Sequence, residues 1–167
     1  EGWMKGVSGT LFAPDNPLTR AEVAAVLARA LELEGDASGT SFTDTYGHWA
    51  REYIELAKQN GIMLGLGNDT FAPDVPVTRQ EMAVILDRLL EMKNSRQNTS
   101  NPYWDVNSTE YSWSYSSIVR MSQYGIFIGS PDGAFHPLDT ATRAQMAVLM
   151  SRIYASLDRG DLTFSLG

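Results

Sequence analysis

Phe71-Ala72-Pro73-Asp74-Val75-Pro76-Val77-Thr78-Arg79-Gln80-Glu81 is the stretch on which the fold turns. An aromatic residue leads into a proline-bounded turn, and Thr-x-x-Glu follows, the signature of a capped helix N-terminus. The same phrase stands at Phe12-Ala13-Pro14 to Thr19-Arg20 and at Phe135-His136-Pro137 to Thr142-Arg143, with the Phe-to-Thr interval unchanged. A glycine precedes each Phe by the same interval, at Gly6, Gly65 and Gly129. Recurrence at fixed spacing marks tandem copies of one supersecondary unit.

Working outward, the segment after each Thr predicts an amphipathic helix. Its apolar positions are Val23, Val26, Leu27, Ala30 and Leu31, then Met82, Ile85, Leu86, Leu89 and Leu90, then Met146, Leu149, Met150, Ile153 and Tyr154. All three sets follow the i, i+3, i+4, i+7, i+8 rule. Capping boxes are expected at Thr19 with Glu22, Thr78 with Glu81, and Thr142 with Gln145. A first helix is expected from near Trp49 and Trp113, stopping at Gly61-Ile62 and Gly125-Ile126, where glycine followed by an apolar residue predicts a left-handed cap. Gly2-Trp3 reads as the same stop in the first copy, which has no counterpart of Phe42 to Gln59 and is therefore expected to be shortened at its start.

Polar linkers at Gly35–Gly39 and Asn94–Asn101 divide the chain into a first repeat over 1–34, a second over 35–93, a third over 94–157 and a tail over 158–167. Two short helices cannot bury an apolar stripe alone. The expected fold is therefore all-α, with three tandem helix-loop-helix repeats joined in one core of approximate threefold symmetry.

Composition narrows the function. The 167 residues are 43% apolar, enough for an ordered core, and a net charge of −7 excludes the basic face of a nucleic-acid reader. No cysteine is present, so disulfides and thiolate metal sites are excluded, and no cofactor is expected. No apolar run approaches the roughly 20 residues that span a bilayer, so membrane insertion is not expected. His48 and His136 stand at non-equivalent positions, against a metal or triad site, and no isolated carboxylate pair suggests a hydrolase.

Most of the repeated phrase has a structural reason: threonine and glutamate cap, proline turns, glycine permits positive φ, phenylalanine packs. Arg20, Arg79 and Arg143 are different, because each places a cation at the positive end of a helix dipole. Either the guanidinium, with the helix N-terminus, receives a carboxylate or phosphate, or it pairs with Asp15, Asp74 or Asp139 in the turn. Trp49 and Trp113 either pack between repeats or stack on a sugar ring. Asp44 and Asp105 either cap the first helix or bond sugar hydroxyls.

Phe42-Thr43-Asp44, His48-Trp49, Gly61-Ile62, Gly65, Phe71-Ala72-Pro73 and Thr78-Arg79-Gln80-Glu81, together with Thr19-Arg20-Ala21-Glu22, resemble the S-layer homology domain family. The resemblance runs from residue 1 to about 157. It implies a pseudo-trimer with a central helix bundle and grooves between neighbouring repeats. It also implies an extracellular place at the wall or S-layer, and a ligand: the secondary cell-wall polysaccharide of Gram-positive bacteria, often bearing a pyruvate ketal. The motif arginine's part in that recognition carries over to Arg20, Arg79 and Arg143. The candidate ligand-binding set is completed by Asp15, Asp74, Asp139, Trp49, Trp113, Gly6, Gly65 and Gly129. Copy three departs, with Tyr103-Trp104-Asp105, Ser112, Pro137-Leu138-Asp139 and Gln145, which marks its groove for degeneracy. The implied role is non-catalytic anchoring of a surface protein. The alternative is a self-assembling module of a surface array, with self-association as its partner chemistry.

Overall fold

The computed structural model describes residues 14–92 and 100–165. The expectations for Gly6, Gly2-Trp3 and Phe12-Ala13 lie outside these residues. Among the described residues the chain is mainly helical: α1 (Arg20–Ala30), α2 (Arg51–Gln59), α3 (Arg79–Leu89), α4 (Tyr115–Gln123) and α5 (Arg143–Asp158), with two short strands, β1 (Leu90–Met92) and β2 (Leu162–Phe164). Two compact units result, the first running up to Val77 and the second covering Thr78–Ser165.

In the first unit α1 packs on α2. Helix α1 starts where Thr19 predicts: its hydroxyl accepts from the Glu22 N–H, and Glu22 Oε1 accepts in return from the Thr19 N–H. Val23, Val26 and Leu27 are wholly buried, as are Ile54 and Ala57 of α2. Helix α2 ends as expected. Gly61 has φ +71° and donates to Lys58 O, and Ile62 donates to Ala57 O at 2.9 Å, the two bonds of a Schellman cap.

In the second unit α3 packs on α4, and β1 pairs antiparallel with β2 in the register Leu90↔Phe164, Glu91↔Thr163. Helix α4 closes like α2, with Gly125 donating to Ser122 O and Ile126 to Met121 O. Met82, Leu86, Leu89, Met146, Met150 and Ile153 are fully buried. The expected tail contributes a strand, because the chain after α5 folds back to satisfy the backbone beyond α3.

Three local expectations are corrected. The first helices begin at Arg51 and Tyr115, two residues later than expected, because a turn intervenes in which Arg51 donates to His48 O and Ser114 to Tyr111 O. Their N-caps, Ala50 and Ser114, make no side-chain cap bond, so neither Asp44 nor Asp105 caps them. At Thr142 the hydroxyl accepts from the Gln145 N–H at 3.2 Å, but the Gln145 side chain reaches Arg79 instead of returning to its own cap.

Candidate ligand groove beside Arg79

The construction begins with the turn that precedes each helix. Asp44 accepts from the backbone N–H groups of Phe71 (2.9 Å) and Ala72 (2.7 Å), and Asp105 accepts from those of Phe135 and His136, both at 2.8 Å. Ala72 and His136 are held at φ +56° and +58°, a left-handed conformation costly for residues with a Cβ. A carboxylate gripping the two successive N–H groups sustains it. Burial pushes the Asp44 carboxyl up, but the bonds from Phe71 and Ala72 outweigh it and hold the group below its ordinary range.

The aromatic residue two positions earlier packs on the same turn. Phe42 lies 5.3 Å from Phe71 and Tyr103 5.1 Å from Phe135, ring centre to ring centre. This explains the repeated glycines by close approach. A Cβ on Gly65 would stand 2.5 Å from the Phe42 ring, and one on Gly129 would stand close against the Tyr103 ring. Tyr103 also donates to Ser122 Oγ at 3.0 Å, so it serves in place of phenylalanine with an added bond.

The turn so fixed receives the helix of the preceding repeat. The first two N–H groups of α1, on Arg20 and Ala21, donate to Val75 O (2.9 Å) and Pro73 O (2.8 Å). Those of α3, on Arg79 and Gln80, donate to Asp139 O (2.8 Å) and Pro137 O (3.0 Å). With the third taken by threonine, the first turns of α1 and α3 have their N–H groups committed, which corrects for Arg20 and Arg79 the expectation that helix end and guanidinium act together. Carbonyl dipoles surround each arginine instead, and their negative ends offset the unfavourable helix dipole.

The arginine side chains complete that interlock. Arg20, only 7% exposed, donates from Nε to Phe71 O (2.7 Å) and from Nη2 to Leu64 O (2.9 Å), with its guanidinium carbon 4.6 Å from the Phe71 ring centre. Arg79 donates from Nε to Phe135 O (2.8 Å) and from Nη1 to Gln145 Oε1 (3.1 Å), over the rings of Phe135 and Phe127. Arg143 is 8% exposed. Arg79 is less buried than Arg20, and of its five N–H donors only two are engaged among the described residues. Burial lowers the Arg79 pKa against the opposing pull of Tyr103, Asp139 and Asp105.

A groove of about 320 Å³ opens beside Arg79. Phe127, Ile128, Gly129, Val148 and Leu149 give it apolar walls, and Arg79, Gln145 and Arg152 its polar groups. Arg152 is steadied by a bond from Nη1 to Ile126 O (2.9 Å). Arg152 is absent from the residues expected at the site, although Arg29, Arg88 and Arg152 recur at the same spacing as the capping threonines. A small, mostly apolar pocket with two cations in its lining suits a ring-shaped ligand carrying an acid.

The other expected site residues lie elsewhere. Asp74 pairs with His48: Nδ1 accepts from the Ala50 N–H at 3.1 Å, so Nε2 carries the proton and donates to Asp74 at 2.8 Å. Copy three replaces both members, with Ser112 and Leu138. Asp139 extends its carboxylate to 3.9 Å from His136, and Asp15 is exposed. Arg20 donates to the carbonyls of Phe71 and Leu64, and Arg79 to the carbonyl of Phe135 and the amide of Gln145. Trp49 and Trp113 are 49% and 57% exposed, and neither lines the groove. A further indole, Trp104, is 74% exposed and pinned by its Nε1 to Asp132 O.

Comparison with known proteins agrees with this architecture. The family model described as S-layer homology domain matches residues 1–24, 41–83 and 102–147. A cellulosome-anchoring protein of Acetivibrio thermocellus is 30% identical over 165 residues, covering 96% of this chain and 36% of that protein. A surface-layer 125 kDa protein of Lysinibacillus sphaericus is 42% identical over 95 residues, or 54% of this chain and 8% of its own length. An endoglucanase of a Bacillus species is 31% identical over 151 residues, 89% of this chain and 16% of the enzyme. The chain thus spans about a third or less of these relatives. With three matched segments over most of its length, the chain belongs to the S-layer homology domain family.

Proposed function

We propose that this chain anchors a larger protein to the bacterial cell wall by holding an anionic wall polysaccharide, with Arg79 and Arg152 receiving an acidic substituent such as a pyruvate ketal. Cell-wall anchoring of surface proteins, outside the cell, is the function that membership of the family carries. The polysaccharide and its substituent are the finer reading. One observation carries it: the groove pairs two fixed guanidinium groups with apolar walls, and among the described residues three of the Arg79 N–H donors are uncommitted. The role is non-catalytic. Arg20 and Arg143 stand at equivalent positions, and several such sites on one chain would gain avidity along a repetitive polymer.

Self-assembly, the alternative, would draw on an exposed methionine and leucine stripe. Met63, Met82, Met121, Met146 and Met150 are buried, so no methionine among them contributes to such a stripe, and Leu64, Leu66 and Leu138 are exposed. Calorimetric titration of Gram-positive wall polysaccharide into the chain, before and after mild acid removal of the ketals, tests the proposal. Saturable binding lost with the ketals is expected. Equal binding of both forms, or none with the fold intact, contradicts it.

A further inference from the structure

Gln145 breaks the repeat at an informative place. The equivalent positions carry Glu22 and Glu81, and Glu22 turns back onto Thr19, accepting from its N–H and its hydroxyl. A carboxylate gains there from the positive helix end. A neutral amide gains less, and the Gln145 side chain accepts instead from Arg79, both residues lining the groove. Arginine offers only donors, so the atom facing Nη1 must be Oε1. That fixes the amide the other way round, and its Nε2 is left with no acceptor among the described residues while the side chain lines the groove. Arg79, Arg152 and Gln145 then present donors alone.

We propose that Gln145 is a specificity-determining residue which adds an amide donor for the ligand's carboxylate and keeps this groove free of negative charge, making it the preferred acid-binding site of the chain. The proposal rests on the anionic-glycan reading above and deepens it. The departures of copy three would then mark a strengthened groove, not a degenerate one. A glutamate at this position fails wherever it points, since it has no proton to donate at neutral pH and adds a charge beside the incoming acid.

The test compares the parent chain with Q145E and Q145L, using a short pyruvylated wall oligosaccharide so that avidity cannot mask a single site. Binding is followed through the Ile128 and Gly129 amide resonances, and stability by thermal unfolding. For Q145E the expected result is about tenfold weaker binding with an unchanged or higher Tm, because the new acid completes the capping box with Thr142. Q145L should show a smaller loss, of about threefold to fivefold. Undiminished affinity in Q145E overturns the proposal while the glycan reading stands. A loss in Q145E with none in Q145L overturns the donor role. Failure of the parent itself to bind removes both readings.

Discussion

Arg20 and Arg79 occupy the same place in successive repeats and share one anchoring bond, from Nε to the carbonyl of the next repeat's phenylalanine, yet their outer edges differ. Arg20 spends Nη2 on Leu64 O and lies almost wholly buried. Arg79 spends Nη1 on a neutral side chain, Gln145, and both residues line the groove. A repeated cation can therefore be a structural rivet first, with ligand capacity set by what borders its outer edge. Sequence identity of the motif does not make its copies functionally equal.

Alanine substitution is the sharpest way to break this comparison. Arg20→Ala removes a buried cation and leaves two carbonyls without their donor, and a loss of about 3–5 kcal/mol in urea unfolding is expected. Arg79→Ala should cost about 1–3 kcal/mol of stability, since one buried carbonyl and the packing over Phe135 and Phe127 are lost. Equal destabilisation by the two would show that the exposed edge of Arg79 makes no difference.

The turn carboxylate gives a smaller effect with a definite sign. Asp44 is held below its ordinary pKa in the folded protein, so its contribution is complete above the unfolded-state value and fades as pH falls through the folded one. Stability should therefore drop on acidification below about pH 4, and Asp44→Asn should flatten that dependence while costing about 1–2 kcal/mol at neutral pH. An unchanged acid limb in Asp44→Asn would contradict the role assigned to this carboxylate in holding Ala72 at positive φ.

The local parts of this fold were legible because their causes are local. Thr19 and Thr78 cap through an N–H three residues on, Gly61 and Gly125 end helices within one turn, and the stripes from Val23, Met82 and Met146 are read from period alone. The site was legible only in part, since its partners are remote in sequence. Arg20 finds Phe71 O, Arg79 finds Phe135 O and Asp44 finds the N–H groups of Phe71 and Ala72, and no spacing rule names a backbone carbonyl or amide as a partner. Two signals were nonetheless present. Asp44 and Asp105 each stand two residues after an aromatic that packs on the turn, a spacing repeated in both copies. Arg29, Arg88 and Arg152 repeat as regularly as the motif arginines. Strands β1 and β2 are too short to leave a pattern.

The most direct test of the central claim is an NMR titration that watches the Arg79 side chain itself as pyruvylated wall oligosaccharide is added. Saturable shifts of the Arg79 Nε–H and of the Ile128 and Gly129 amides are expected, absent when the ketal has been removed. Shifts confined to the indoles of Trp49, Trp104 and Trp113, with Arg79 silent, would contradict it and move the binding surface to the exposed aromatics.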